Sequence, residues 1–238
     1  MAANGNRRLA SLRGGVLLSL LIAGFLTGCG AGEQGESGGT SGAAPSGSDE
    51  TSIESSSGES VMVGGTEALV WDAGDYGVIL SHGAAYDAAS WSPQAEDIAA
   101  GNGMVALAVE DTSPEELERA ARYLREERGV EDVAFIGASA GASTVLELAR
   151  ERPELPDQLI LISGSGETSG LGDYPKLFVA SEDEGLADTV REMSEEAPGD
   201  ENETLILPGS AHAQAIFETG QGGRLTDAML ERLKRFGG

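Results

Sequence analysis

Seven short apolar runs, separated by longer polar stretches, set the strongest limit on how this chain can fold. They read ALVW (68–71), YGVILS (76–81), MVALAV (104–109), DVAFIG (132–137), QLILIS (158–163), KLFVAS (176–181) and ETLILP (203–208). A strand with one face in water alternates apolar and polar residues, whereas these runs are apolar on both faces and need cover on both. The segments between them carry helix signals. In SPEELERAARYLREERG (113–129), Ser113 and Glu116 suit a capping box and Pro114 the first helical position. Leu117, Ala120, Ala121 and Leu124 make an apolar stripe, Glu115–Arg119 and Glu118–Arg122 are spaced for i,i+4 pairing, and Gly129 ends the segment. The expectation is an α/β domain over residues 61–238, a mostly parallel sheet of about six to eight strands with helices on both faces.

The first sixty residues follow different rules. Arg7, Arg8 and Arg13 precede an apolar run from Gly15 to Gly28, which is too short to span a bilayer comfortably and of secretory-signal length. It ends at Leu26-Thr27-Gly28-Cys29, which resembles the bacterial lipoprotein lipobox. That resemblance implies a signal peptide over residues 1–28, a lipidated Cys29 and an extracytoplasmic protein anchored to the cell membrane. The export route stays open. Cys29 is the only cysteine, so no internal disulfide forms, and it lies ahead of any foldable region, which excludes it as a catalytic thiol. From Ala31 to Ser60, 16 of 30 residues are Gly or Ser, and Ile53 is the only large aliphatic side chain. Residues 29–60 therefore read as the lipidated cysteine followed by a disordered tether.

Two stretches fit the pattern Gly-x-Ser-x-Gly, the signature of a serine nucleophile: GESGG (35–39) and GASAG (137–141). With 35 glycines and 23 serines among 238 residues, one chance match in every two such chains is roughly expected. Context separates them. Ser37 lies in the tether, with no strand before it and no helix after it. Ser139 closes the run DVAFI and opens the helical pattern ASTVLELARER, in which Val145, Leu146 and Ala149 share a face. Strand, glycine-flanked serine turn and helix are what a nucleophile elbow requires.

From Tyr76 onward the chain resembles a small α/β-hydrolase of the dienelactone-hydrolase-like kind. The resemblance rests on SHGAAYDAASW (81–91), FIGASAGAS (135–143), LFVASEDE (177–184) and LPGSAHAQ (207–214). It implies the order nucleophile, acid, histidine, here Ser139, Asp183 and His212, with Glu184 as the alternative acid. It also places the only other histidine, His82, with Gly83 in an oxyanion loop, and the Ala84 and Ala140 amides in an oxyanion hole. Tyr86 and Trp91 follow in the same loop, and Trp91 reads as core. About a dozen residues separate Ser163 from Lys176, too few for a substantial cap domain.

The activity implied is serine-dependent cleavage of carboxylic esters, with thioesters or amides also open to the same residues. A small-molecule or polymer ester is the expected substrate. A hydrolase-fold binding module without turnover is the alternative. No cofactor or metal is expected: neither histidine has a second nearby, and no phosphate-binding Gly-rich Lys-Ser/Thr loop occurs. The formal net charge of −25 disfavours phosphate backbones, so nucleic acid is not an expected partner. Asp87, Glu110 and Asp111 read as structural or solvating.

Overall fold

The computed structural model describes residues 58–237, so the expected signal peptide, Cys29 and Ser37 lie outside the described residues. All seven apolar runs are strands, and an eighth precedes them. The elements are β1 (Glu59–Val63), β2 (Thr66–Trp71), β3 (Gly77–Ser81), α1 (Ser92–Asn102), β4 (Val105–Val109), α2 (Pro114–Glu127), β5 (Val133–Ala138) and α3 (Ala140–Glu151), then β6 (Gln158–Ile162), β7 (Lys176–Ser181), α4 (Ala187–Glu196), β8 (Asn202–Leu207) and α5 (Gly222–Phe236). The sheet order is β1-β2-β4-β3-β5-β6-β7-β8. β1–β2 and β2–β4 pair antiparallel; every pair from β4–β3 to β7–β8 is parallel.

β1 is absent from the seven runs because it lies at the sheet edge, where only Val63 is buried and Met62 is 62% exposed. Its turn into β2 uses Gly64 and Gly65, both at positive φ (59° and 100°). The ordered domain therefore starts before Val61, and Glu59 and Ser60 belong to a strand rather than the tether.

Two apolar layers flank the sheet. Leu117, Leu124, Val145, Leu148 and Val190 bring α2, α3 and α4 onto one face. Ile98, Leu225, Met229 and Leu233 bring α1 and α5 onto the other. At the start of α2, Ser113 accepts from the Glu116 N–H as expected. The reciprocal half of the capping box is missing: Asp111 takes the Ser113 N–H, and the buried Glu116 carboxylate instead holds Arg119 at 2.8 Å. The expected Glu115–Arg119 pair gives way to this buried one, while Glu118–Arg122 forms at 3.7 Å. Among the described residues no helix is long and apolar enough to cross a membrane.

Six parallel strands, β3 to β8, end on the same side of the sheet. The register aligns Ser81 with Gly137, Ala138 with Ile162 and Ser181 with Leu207. Loops leaving these ends must converge, which is where open α/β sheets bind ligands.

At the opposite end of β7, Lys176 is fully buried and donates to the Tyr174 and Pro198 carbonyls, both at 2.7 Å. Burial pulls its pKa down to about 8, against a smaller upward pull from Asp173. Between about 8 and the unfolded value of 10.5 the unfolded chain holds a proton that the native state has released, so stability rises with pH across that window. Burial raises Tyr76 and Tyr174 to about 12, which opposes the rise once pH passes the ordinary tyrosine value of 10.0. The urea midpoint should therefore increase from about pH 7.5 to about 9.5, and Lys176→Met should abolish that increase.

Candidate active site

Ser139 sits between β5 and α3 with φ 51° and ψ −114°, a conformation that costs a non-glycine residue about 1–3 kcal/mol. Packing on both sides enforces it. A Cβ on Gly137 would lie 2.5 Å from the Ala142 Cα, and one on Gly141 would lie 2.5 Å from the His82 carbonyl oxygen. The two glycines thus let α3 press against both its own strand and the end of β3. The Ser139 N–H donates to the Ile162 carbonyl at 2.9 Å, fixing the turn to β6. Its hydroxyl is left half-buried at the sheet edge.

His212 follows β8 by five residues and brings its ring to that hydroxyl. Ser139 Oγ is 2.8 Å from His212 Nε2, and His212 Nδ1 is 2.6 Å from Glu184 Oε2. With Nδ1–H donating to the carboxylate, Nε2 presents a lone pair to the serine O–H. The imidazole is half-exposed, whereas the Glu184 side chain is 1% exposed.

The acid on the histidine is therefore Glu184 and not Asp183. Beyond β7 the chain keeps pairing with the β8 side, through Glu182 N–H to Leu207 O at 2.8 Å and Asp183 N–H to Gly209 O at 2.9 Å. Asp183 is held on the outer, exposed side of that extension. The turn that follows brings Glu184 back under the sheet edge, where Oε1 accepts from the Ser181 N–H at 2.6 Å and from Ser163 Oγ at 2.9 Å. Ser163, at the end of β6, also has a positive φ of 51°, and its Oγ accepts from the Ala213 N–H at 2.9 Å. Ser181 Oγ donates to the Ala211 carbonyl at 2.5 Å. Two serine hydroxyls thus grip the backbone on either side of His212 while the carboxylate holds its ring. The sequence marks both serines only as strand ends; their pairing depends on the parallel register.

The loop after β3 lies against the serine. A Cβ on Gly83 would sit 3.4 Å from the Ser139 Cβ, so the backbone there is in close contact with the Ser139 turn. The His82 ring makes no hydrogen bond to Ser139. It lies 2.9 Å from the Gly83 carbonyl and 3.1 Å from the Glu110 carbonyl, tying the loop to the end of β4. Ala140 is the first residue of α3, so its N–H has no acceptor within the helix. The Ala84 N–H bonds to no backbone acceptor among the described residues. Both alanines are exposed, which leaves room for a carbonyl oxygen to approach.

Gln214, which sequence reasoning did not single out, fixes this loop at two points. Its buried Oε1 accepts from the Gly83 N–H at 2.8 Å, and its Nε2 donates to Ser90 Oγ at 2.7 Å. Asp87, Glu110 and Asp111 are occupied in backbone caps: they accept from the N–H groups of Ser90, Ala88 and Ser113. Trp91 is fully buried in the core.

No protein-family model matches the chain, and no curated protein matches it in sequence. Solved structures do. The monoacylglycerol lipase of Paleococcus ferrophilus superposes with a TM-score of 0.60 at 16% identity, over 71% of this chain and 98% of that one. The dienelactone hydrolase of Anabaena variabilis gives 0.59 at 20%, over 75% and 96%. A thermophilic esterase from Thermogutta terrifontis gives 0.59 at 14%, over 76% and 98%.

The fold is that of the α/β-hydrolases. This version of it has no helix between β6 and β7, where the chain runs from Ile162 to Lys176 without regular structure, so the edge bearing Ser139 carries no helical cap there. Removing the negative charge of Glu184 while keeping its shape should disable the histidine. Glu184→Gln is expected to slow phosphonylation of Ser139 by a fluorophosphonate about 10³–10⁴-fold. Asp183→Asn should react at the wild-type rate, as followed by intact-mass spectrometry.

Proposed function

We propose that this protein is a serine hydrolase that cleaves carboxylic esters through an acyl-enzyme intermediate. The observation that carries the reading is the unbroken line of contacts from Ser139 Oγ to His212 Nε2 and from His212 Nδ1 to Glu184, at 2.8 and 2.6 Å. Solved hydrolases and esterases of the same fold support it.

In this reading Ser139 Oγ attacks the ester carbonyl as His212 Nε2 takes its proton. Negative charge collects on the carbonyl oxygen, facing the Ala84 and Ala140 N–H groups. Loss of one such donor typically costs on the order of 10²–10³ in rate. The imidazolium, stabilised by Glu184, returns the proton to the leaving alkoxide, and the C–O bond breaks. Water then enters through the open edge. His212 removes its proton, the new oxygen bonds to the acyl carbon, and the acid leaves as Ser139 regains its proton.

Lipid anchoring at Cys29 and an extracytoplasmic location belong to the same proposal, on the strength of the Leu26–Cys29 stretch. They would put the open site at the end of a tether outside the membrane.

The test is hydrolysis of short-chain p-nitrophenyl esters. A burst of phenolate followed by slower turnover is expected, and Ser139→Ala should lower kcat about 10⁴–10⁶-fold with the thermal midpoint retained. Equal rates for the folded wild type and Ser139→Ala would overturn the reading in favour of a binding module without turnover.

A further inference from the structure

A hollow of about 310 Å³ is bounded by Tyr86, Ser90, Pro93, Gln94, Gln214 and Phe217, with the exposed Glu218 at its rim. Gln214 joins it to the site, because the amide that lines the hollow also holds the Gly83 N–H, and Gly83 abuts Ser139. Its size is at the lower end of small-molecule pockets, about 300–1,000 Å³, which suits one small ring or a short branched chain.

The polar groups in the hollow divide into used and unused. Gln214 has both ends of its amide committed, to Gly83 and Ser90. Gln94 does not. It projects from the first turn of α1, is only 8% exposed, and its amide makes no hydrogen bond among the described residues. Its amide atoms are not among the buried groups cut off from solvent, so they stand on the wall of the hollow able to donate to and accept from whatever enters it. The Tyr86 hydroxyl is likewise without a partner among the described residues. Phe217 stands edge-on to the buried Trp91, with ring centroids 5.9 Å apart and planes at 71°, so the orientation of its ring is set by the core.

These groups describe a ligand. No Lys, Arg or His lines the hollow, and Glu218 stands at its mouth, which excludes an anion. A purely apolar group would leave the Gln94 amide unpaired. A hydroxyl both donates and accepts, which matches an amide and a phenol, while the C–H faces of a polyol or sugar ring pack on aromatic rings. We propose that this hollow binds the uncharged, hydroxyl-bearing part of the ester, a polyol or a single sugar ring, with Gln94 as the residue that selects it. This rests on the hydrolase reading above.

The test compares the full-length protein on three acetate esters: a monoacetylated methyl glucoside, monoacetylated glycerol and cyclohexyl acetate. Wild type should favour at least one hydroxylated ester over cyclohexyl acetate by about tenfold or more in kcat/KM. Gln94→Leu, of similar size, should reduce that ratio to near unity. Tyr86→Phe, which removes only an oxygen, should reduce it in part and serves if Gln94→Leu does not fold. The larger of the two wild-type preferences tells a sugar from a polyol. Equal rates on all three esters, or a preference that survives both substitutions, would overturn the subsite while leaving the hydrolase intact. Absence of any turnover together with absence of Ser139 phosphonylation would instead remove the hydrolase reading, and the subsite with it.

Discussion

A serine backbone held at φ 51° is the constraint on which the functional edge of this protein depends. That conformation is unfavourable alone, and it persists because α3 is pressed against the ends of β3 and β5 with no side chain at Gly137 or Gly141 to separate them. The same close approach brings the amide end of α3 and the loop at Gly83 next to Ser139. A relaxed turn would move the hydroxyl, the helix terminus and the loop together. The strain is offset by burial of Val145, Leu148 and Ala149 along the helix that follows.

Around that serine the structure sets a deliberate contrast in solvation. Glu184 is almost wholly removed from water, while the imidazole it holds is half-exposed. A carboxylate without water needs donors, and it has three: the Ser181 N–H, Ser163 Oγ and His212 Nδ1. The three come from the last residue of β7, the residue after β6 and the loop five residues beyond β8. Parallel strands at matched register are therefore what make the carboxylate affordable, because they bring the three loops within hydrogen-bond reach of one point.

The sheet was legible in the sequence because fully buried strands cannot hide: Val105–Val109 and Gln158–Ile162 are buried at every position and apolar throughout or nearly so. β1 was not, since only Val63 of its five residues is buried and Glu59 and Ser60 continue the polar stretch that precedes them. The serine, the histidine and the Gly83 loop were legible because each sits in a short motif next to a strand end. The acid was not legible at the level of one residue. Within Ser181-Glu182-Asp183-Glu184 the choice depends on where pairing with the β8 side stops, and the extension through Asp183 N–H to Gly209 decides it. The partners of Ser163, Ser181 and Gln214 could not be read, because each acts on a residue 21 or more positions away.

Gln214 also defines what can be exchanged. One amide clasps residues 83 and 90, the two ends of the segment that carries Ala84 and Tyr86, and it stands two residues beyond His212. The segment carrying His212 and the loop after β3 are thus a single mechanical unit joined by one side chain. A transplant of residues 83–90 from a related protein would arrive without its clasp unless the residue at 214 came with it. Any natural variation in that loop carries the same obligation, so diversification at this edge of the fold has to proceed through matched changes in two distant segments rather than one.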